Sequence, residues 1–134
     1  GEALAALNGN KSLETLNLAG STSDLAGVRG LGRLEKLKSL DVSGLRIPSM
    51  PQPRSLGNGD IAAFEKMKSL TYLNVNHTRV SITGLTQLGE IPQLYVEHRY
   101  SSVSDIDAQR MADQFGWTFH GACSCGCLDI EPRR

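Results

Sequence analysis

The chain has no surplus of either charge: 14 lysines and arginines are balanced by 14 aspartates and glutamates. A neutral balance leaves no electrostatic footprint for nucleic acid or an anionic membrane surface, so neither is expected as a direct partner. No apolar run approaches the length that crosses a membrane. No signal-peptide pattern opens the chain. There are three cysteines, an odd number crowded into Cys123–Cys127. That excludes a disulfide framework and favours a reducing compartment, so an intracellular, cytoplasmic location is expected. A glycine-rich phosphate loop and a serine nucleophile elbow are both missing. The expectation is a protein without enzymatic activity or cofactor. At 134 residues the chain is one domain, long enough for a real core.

What the chain does have is a phrase that recurs. Leu70-Thr-Tyr-Leu73-Asn-Val75 is preceded by Leu13-Glu-Thr-Leu16-Asn-Leu18 and Leu37-Lys-Ser-Leu40-Asp-Val42, and followed by Ile91-Pro-Gln-Leu94-Tyr-Val96. Each ends in an apolar-polar-apolar triplet, which reads as a short strand with one buried face. One copy buries too little to stand alone, whereas stacked copies share a core. Stacking in sequence order makes the strands parallel, and the polar residue of each triplet leaves one sheet face open. The predicted strands are Leu16–Leu18, Leu40–Val42, Leu73–Val75, Leu94–Val96 and Trp117–Phe119. The spacings are 24, 33, 21 and 23 positions, measured from the first residue of each strand to that of the next.

The phrase resembles the leucine-rich repeat, L-x-x-L-x-L-x-x-N-x-L. The resemblance is good over residues 3–100 and positional beyond. It implies an α/β solenoid, a right-handed superhelix with about five short parallel strands on its concave face and short helices on its convex face. It also implies a module that holds a partner protein. The asparagine position is taken by Ser21, Leu45, Thr78 and Arg99, and Leu45 cannot make the backbone hydrogen bond that the family's side chain makes. Thr78-Arg-Val80 followed by Gly84-Leu85 is similar to the subtype with short helical segments. Glu2–Asn10 resembles the second half of an earlier repeat, so the chain is expected to be a piece of a longer protein.

Helices are expected between strands. Ala3–Leu7 forms a helical turn. Ser23 or Asp24 caps a helix whose inner stripe is Leu25, Val28, Leu31 and Leu34. Asn58 or Asp60 caps one carrying Ile61, Phe64 and Met67. Ser81 starts a short one with Ile82, Leu85 and Leu88. Ser104 starts the last, with Met111, Ala112 and Phe115 inward and Gly116 at its end. Pro48-Ser-Met-Pro51-Gln-Pro53-Arg-Ser cannot form a regular helix or an interior strand, so it bulges from the rim. It is read as a surface insertion, or as a binding loop presenting Met50. The repeat domain runs over 1–120, with its last strand and cap at 104–120. Residues 121–134 are an irregular tail.

Few side chains suggest chemistry. Cys123-Ser-Cys125-Gly-Cys127, with His120 just before it, supplies four metal-ligand types, but the spacing is crowded for one tetrahedral zinc. The cluster is read as an ordinary thiol-bearing tail. Zinc on His120, Cys123, Cys125 and Cys127, a Cys123–Cys127 disulfide and lipid attachment stay open. Asn10-Lys-Ser12 and Asn76-His-Thr78 fit the glycosylation sequon, as chance matches do. His77 and His98 follow strands three and four and read as solvated loop histidines.

Strand alternation places the candidate binding residues. Facing outward are Thr15, Asn17 and Ala19, then Ser39, Asp41 and Ser43, then Tyr72, Asn74 and Asn76, then Gln93, Tyr95 and Glu97, then Thr118 and His120. Tyrosine is enriched at interface hot spots. The expected protein-binding set is therefore Asn17, Asp41, Tyr72, Asn74, Asn76, Tyr95 and Glu97. A permanent subunit of a large assembly, such as a ribonucleoprotein, is the alternative. So is the substrate-recognition part of a larger enzyme such as a ubiquitin ligase.

Overall fold

The structure, a computed structural model, describes residues 12–48, 51–121 and 129–132. The helical turn expected over Ala3–Leu7, the sequon at Asn10, Met50 and the three cysteines lie outside them. The recurring triplets form β1 (Thr15–Asn17), β2 (Ser39–Asp41), β5 (Tyr72–Asn74), β6 (Tyr95–Glu97) and β7 (Thr118–His120). These five pair in that order, each parallel to the next. Between them lie α1 (Leu25–Gly30), α2 (Asn58–Ile61), α3 (Ile82–Thr86) and α4 (Asp105–Phe115), the first two prolonged by single 3-10 turns. Each helix touches the next, so the helical layer follows the order of the strands. The fold is α/β: a five-stranded parallel sheet with a few short helices. Among the described residues no helix is long and apolar enough to cross a membrane.

The core lies between sheet and helices. Its sheet side is the ladder row Leu16, Leu40, Leu73, Val96 and Phe119, buried except for the half-covered Leu16 at the edge. Its helix side holds Val28, Leu31, Ile61, Phe64, Leu85, Met111 and Ala112. Full burial of one such aliphatic or aromatic side chain is worth about 1.5–3 kcal/mol, so short, glycine-containing helices are held by docking. The expected caps are present in part. Asp24 Oδ1 accepts the Gly27 N–H at 2.7 Å and Ser104 Oγ accepts the Asp107 N–H at 3.1 Å. Gly116 closes α4 in the left-handed conformation, φ 76°. For α2 the cap is Gly57 rather than Asn58 or Asp60. Asp60 sits one turn in, and its carboxylate accepts the Gly57 N–H at 2.9 Å.

The third and fourth strands do not pair in the expected register. The repeated phrase would place Leu94 beside Leu73, but Leu73 pairs with Val96 and Tyr72 with Tyr95. Leu37, Leu70 and Ile91 close equivalent turns, each N–H bonding the carbonyl three residues back. From there Leu40 and Leu73 are three residues on, and Val96 is five. Pro92 and Gln93 are the two extra residues. A slip of two keeps every side chain on its expected face, so the open face survives the error. The position equivalent to Thr78 then falls on Ser101, not Arg99. Its hydroxyl donates to the His98 carbonyl at 2.7 Å and accepts the Val103 N–H at 3.2 Å. Thr78 does the same one rung earlier, to Val75 at 2.7 Å and from Val80 at 3.3 Å.

Two segments expected to be irregular contain strands. The proline-rich insertion folds back as an antiparallel pair, β3 (Arg46–Ile47) with β4 (Arg54–Ser55). Arg54 pins that pair to α2 through two bonds to Asp60, at 2.6 and 2.9 Å. Burial alone would raise the Asp60 carboxyl, but the Arg54 bonds and the Gly57 N–H outweigh it and hold it below its ordinary range. In the tail, β8 (Asp129–Ile130) joins β7 antiparallel and extends the sheet by a strand.

Candidate binding face

The open face of the sheet carries two rows of side chains. The first is Thr15, Ser39, Tyr72, Tyr95 and Thr118, and the second is Asn17, Asp41, Asn74, Glu97 and His120. Gln93 is displaced from the fourth rung by the register slip. Arg99 joins it at the opposite end, where its carbonyl accepts the His77 N–H at 2.9 Å.

The second row is first of all structural. Asn17, Asp41 and Asn74 each accept, through Oδ1, the N–H of the residue two further on: Ala19, Ser43 and Asn76, all at 2.9 Å. A short side chain that bonds its own backbone in this way makes an Asx turn. Here it bends the chain off the sheet at the end of each strand. The next rung feature follows from it. Gly20, Gly44, His77 and Tyr100 occupy matching places and all have positive φ, from 56° to 69°. The first two are glycine, for which this conformation carries no steric cost. The last two are not, and their rings stack at 4.8 Å.

Glu97 is one carbon longer than the asparagines and the aspartate of its row and behaves differently. Its Oε2 accepts the Tyr72 hydroxyl at 2.6 Å and the Asn74 amide at 2.8 Å. A hydroxyl-to-carboxylate bond of that length is charge-assisted and strong. Burial, and then the Glu97 carboxylate, push the Tyr72 phenol well above its ordinary range, with the charge of Asp41 adding to the effect. Tyr72 therefore stays a phenol and a donor. Asn74, 7% exposed, is satisfied inside this network and withdrawn from any partner. Asn76 is half-buried, and its Oδ1 accepts the Arg99 N–H at 2.6 Å, so it ties rung to rung. Of the seven expected binding residues, Tyr72, Tyr95, Asp41 and Glu97 are brought together at half exposure. Asn17 stands apart on β1, and Asn74 and Asn76 serve the scaffold.

The aromatic rings form one stack across three strands. Tyr72 and Tyr95 lie 6.0 Å apart with planes 12° from parallel, and Tyr95 and His120 lie 6.2 Å apart at 23°. His120, expected on this face beside Thr118 as well as being a weak metal-ligand candidate, enters the stack through the 23-residue step from Glu97, its ladder partner. Beside Tyr95, at the N-terminal ends of the strands, a depression of about 310 Å³ is lined by Thr71, Gln93, Leu94, Tyr95, Gly116 and Thr118. Among the described residues no three His, Cys, Asp or Glu side chains gather as a metal site.

His98 is a correction: it is buried, not solvated. It takes the place that Val75 takes one rung earlier, stands edge-on to Phe119 at 5.7 Å, and is 3% exposed. Its Nε2 has no hydrogen-bond partner among the described residues. Burial lowers its affinity for a proton, against the pull of the Asp105 charge. Gly121 makes room for it, since a Cβ there would lie 2.6 Å from the ring. His77, by contrast, is exposed as expected. A scan of known family models finds no match to this chain, and a search of curated proteins finds none.

Proposed function

We propose that the chain is a leucine-rich-repeat solenoid that acts as a non-enzymatic binding module and holds a partner protein on the open face of its parallel sheet. The observation that carries this reading is the contrast between the two faces. One is packed under four helices, while the other presents half-exposed tyrosines over a floor of small polar residues. Tyr72 and Tyr95 are the anchors. Each combines a large apolar body with a polar tip, and Tyr72 is held in one orientation by Glu97, so little rotamer freedom is lost on binding. Asp41 and Glu97 are the polar selectors beside them. The depression next to Tyr95 offers a place for a partner side chain.

The test is the double substitution Tyr72→Ala with Tyr95→Ala, followed by capture of partners from cells and thermal melting of the same protein. Capture should weaken by about 2 kcal/mol per true anchor while the fold persists, because neither ring is part of the core. Undiminished capture moves the site off the sheet, to the hairpin that carries Pro51-Gln52-Pro53.

A further inference from the structure

Resting on the binding-face reading above, we infer that the face recognises an exposed arginine of its partner, whose guanidinium continues the ring stack at Tyr72 and pairs with Asp41. The ring stack runs His120–Tyr95–Tyr72. Tyr95 covers one face of Tyr72. The ladder partner on the other side is Ser39 on β2, and Thr15 on β1 lies beyond it. Both are too small to continue the stack, so the far face of Tyr72 looks over a notch floored by Ser39.

The notch has a charge. Asp41 stands two residues from Ser39 on the same strand and on the same sheet face, next to Asn74 in the ladder. Only its Oδ1 is used by Ser43, at 2.9 Å from the amide and 2.6 Å from the hydroxyl, so Oδ2 keeps its accepting capacity. Glu97 adds a second negative charge on the other side of the Tyr72 hydroxyl. Among the described residues neither carboxylate is joined to a lysine or arginine; the ion pairs there are Lys38–Glu14, Arg54–Asp60 and Lys68–Glu90. A flat cation complements a ring face with a carboxylate at its edge. Arginine is planar, stacks on aromatic faces and bonds carboxylates through a fork of N–H donors, whereas lysine is a compact, strongly hydrated point charge. The occupant is therefore a protein segment presenting arginine, in preference to lysine or a neutral side chain.

The probe is a capped glycyl-arginyl-glycine peptide, titrated into the full chain and followed by the amide signals of Ser39 and Asp41 and the ring signals of Tyr72. Its lysine and citrulline counterparts are the controls. The arginine peptide should shift those signals saturably, the lysine peptide several-fold more weakly, and the neutral citrulline peptide not at all. Asp41→Asn should weaken the arginine response by about fivefold, the scale of an exposed ion pair. That variant keeps its fold, because Asn17 and Asn74 make the same Asx turn on neighbouring strands. No saturable shift at Ser39 and Tyr72, or equal shifts from all three peptides, overturns the inference. If the Tyr72→Ala, Tyr95→Ala double variant still loses capture in that case, the binding face stands and arginine recognition alone has failed. If the double variant keeps its capture, the face reading falls and takes this inference with it.

Discussion

Trp117 offers the sharpest test of how the end of the sheet is held. It is fully buried, with Phe115 at 4.9 Å and Phe119 at 6.2 Å between ring centroids. Its indole N–H donates to the Ile91 carbonyl at 2.9 Å. Replacing it by alanine removes that packing and opens a cavity, a loss of about 3–5 kcal/mol for a large aromatic. It also strands the Ile91 carbonyl, which adds about 1 kcal/mol or more. For a chain of this size each kcal/mol moves the melting midpoint by roughly 3–5 °C, so a fall of about 12–30 °C is expected. Trp117→Phe keeps most of the apolar volume and loses the donor, so it should fall by about a third as much. Circular dichroism is the right probe, because Trp117 is the single tryptophan and its fluorescence disappears in both variants. An unchanged midpoint for Trp117→Ala would refute the claim that this ring fills the terminal core. A fall as large for phenylalanine as for alanine would refute the division between packing and hydrogen bond.

Two titrating groups give separate pH windows. The proton affinity of His98 is lowered in the fold from an ordinary 6.5. The unfolded chain therefore takes up the proton first, and stability present above about pH 6.5 is lost as the pH falls through the folded value. His98→Leu should flatten that part of a stability–pH curve; a slope between pH 7 and 5 that survives the substitution means another group is responsible. Asp60 is also depressed in the fold, from an ordinary 3.8. Its contribution is full above that value and is lost only as the pH falls below it. Asp60→Asn should cost about 1–3 kcal/mol at neutral pH, less than a fully buried pair because Arg54 is partly exposed, and chemical denaturation reads it directly. No loss would mean that the β3–β4 hairpin docks without its ion pair.

The strands and their faces were legible because apolar-polar-apolar triplets are a direct record of burial. Leu40-Asp-Val42 and Leu73-Asn-Val75 could be placed on a sheet from three letters each. The fourth rung misled because Ile91-Pro-Gln-Leu94-Tyr-Val96 copies the phrase while carrying two residues too many before the strand. The correction was present in the hydroxyls: Thr78 and Ser101 are 23 positions apart, as are His77 and Tyr100. His98 was missed for the same reason. A histidine in the place of Val75 carries no apolar signal, and only the right register shows it must be inside. The candidate site was half legible. Alternation put Tyr72, Tyr95, Asp41 and Glu97 on one face. It could not tell that Asn74 would turn inward to Glu97, or that Asn17 and Asp41 would bond their own turns, because local side chain–backbone bonds compete invisibly with outward reach. β8 was unreadable, since two residues carry no periodicity.

The claim that the open sheet face is where a partner sits is tested most directly by placing a photo-crosslinking side chain there. A benzophenone residue replaces Ser39, in the notch beside Tyr72, and in a second protein it replaces the exposed Arg110 of α4 on the opposite layer. Both are irradiated in cells, and the crosslinked bands are compared. A discrete protein adduct is expected from position 39 that is absent from position 110 and disappears when Tyr72→Ala and Tyr95→Ala are added. The same adduct from position 110 with none from position 39 would contradict the claim.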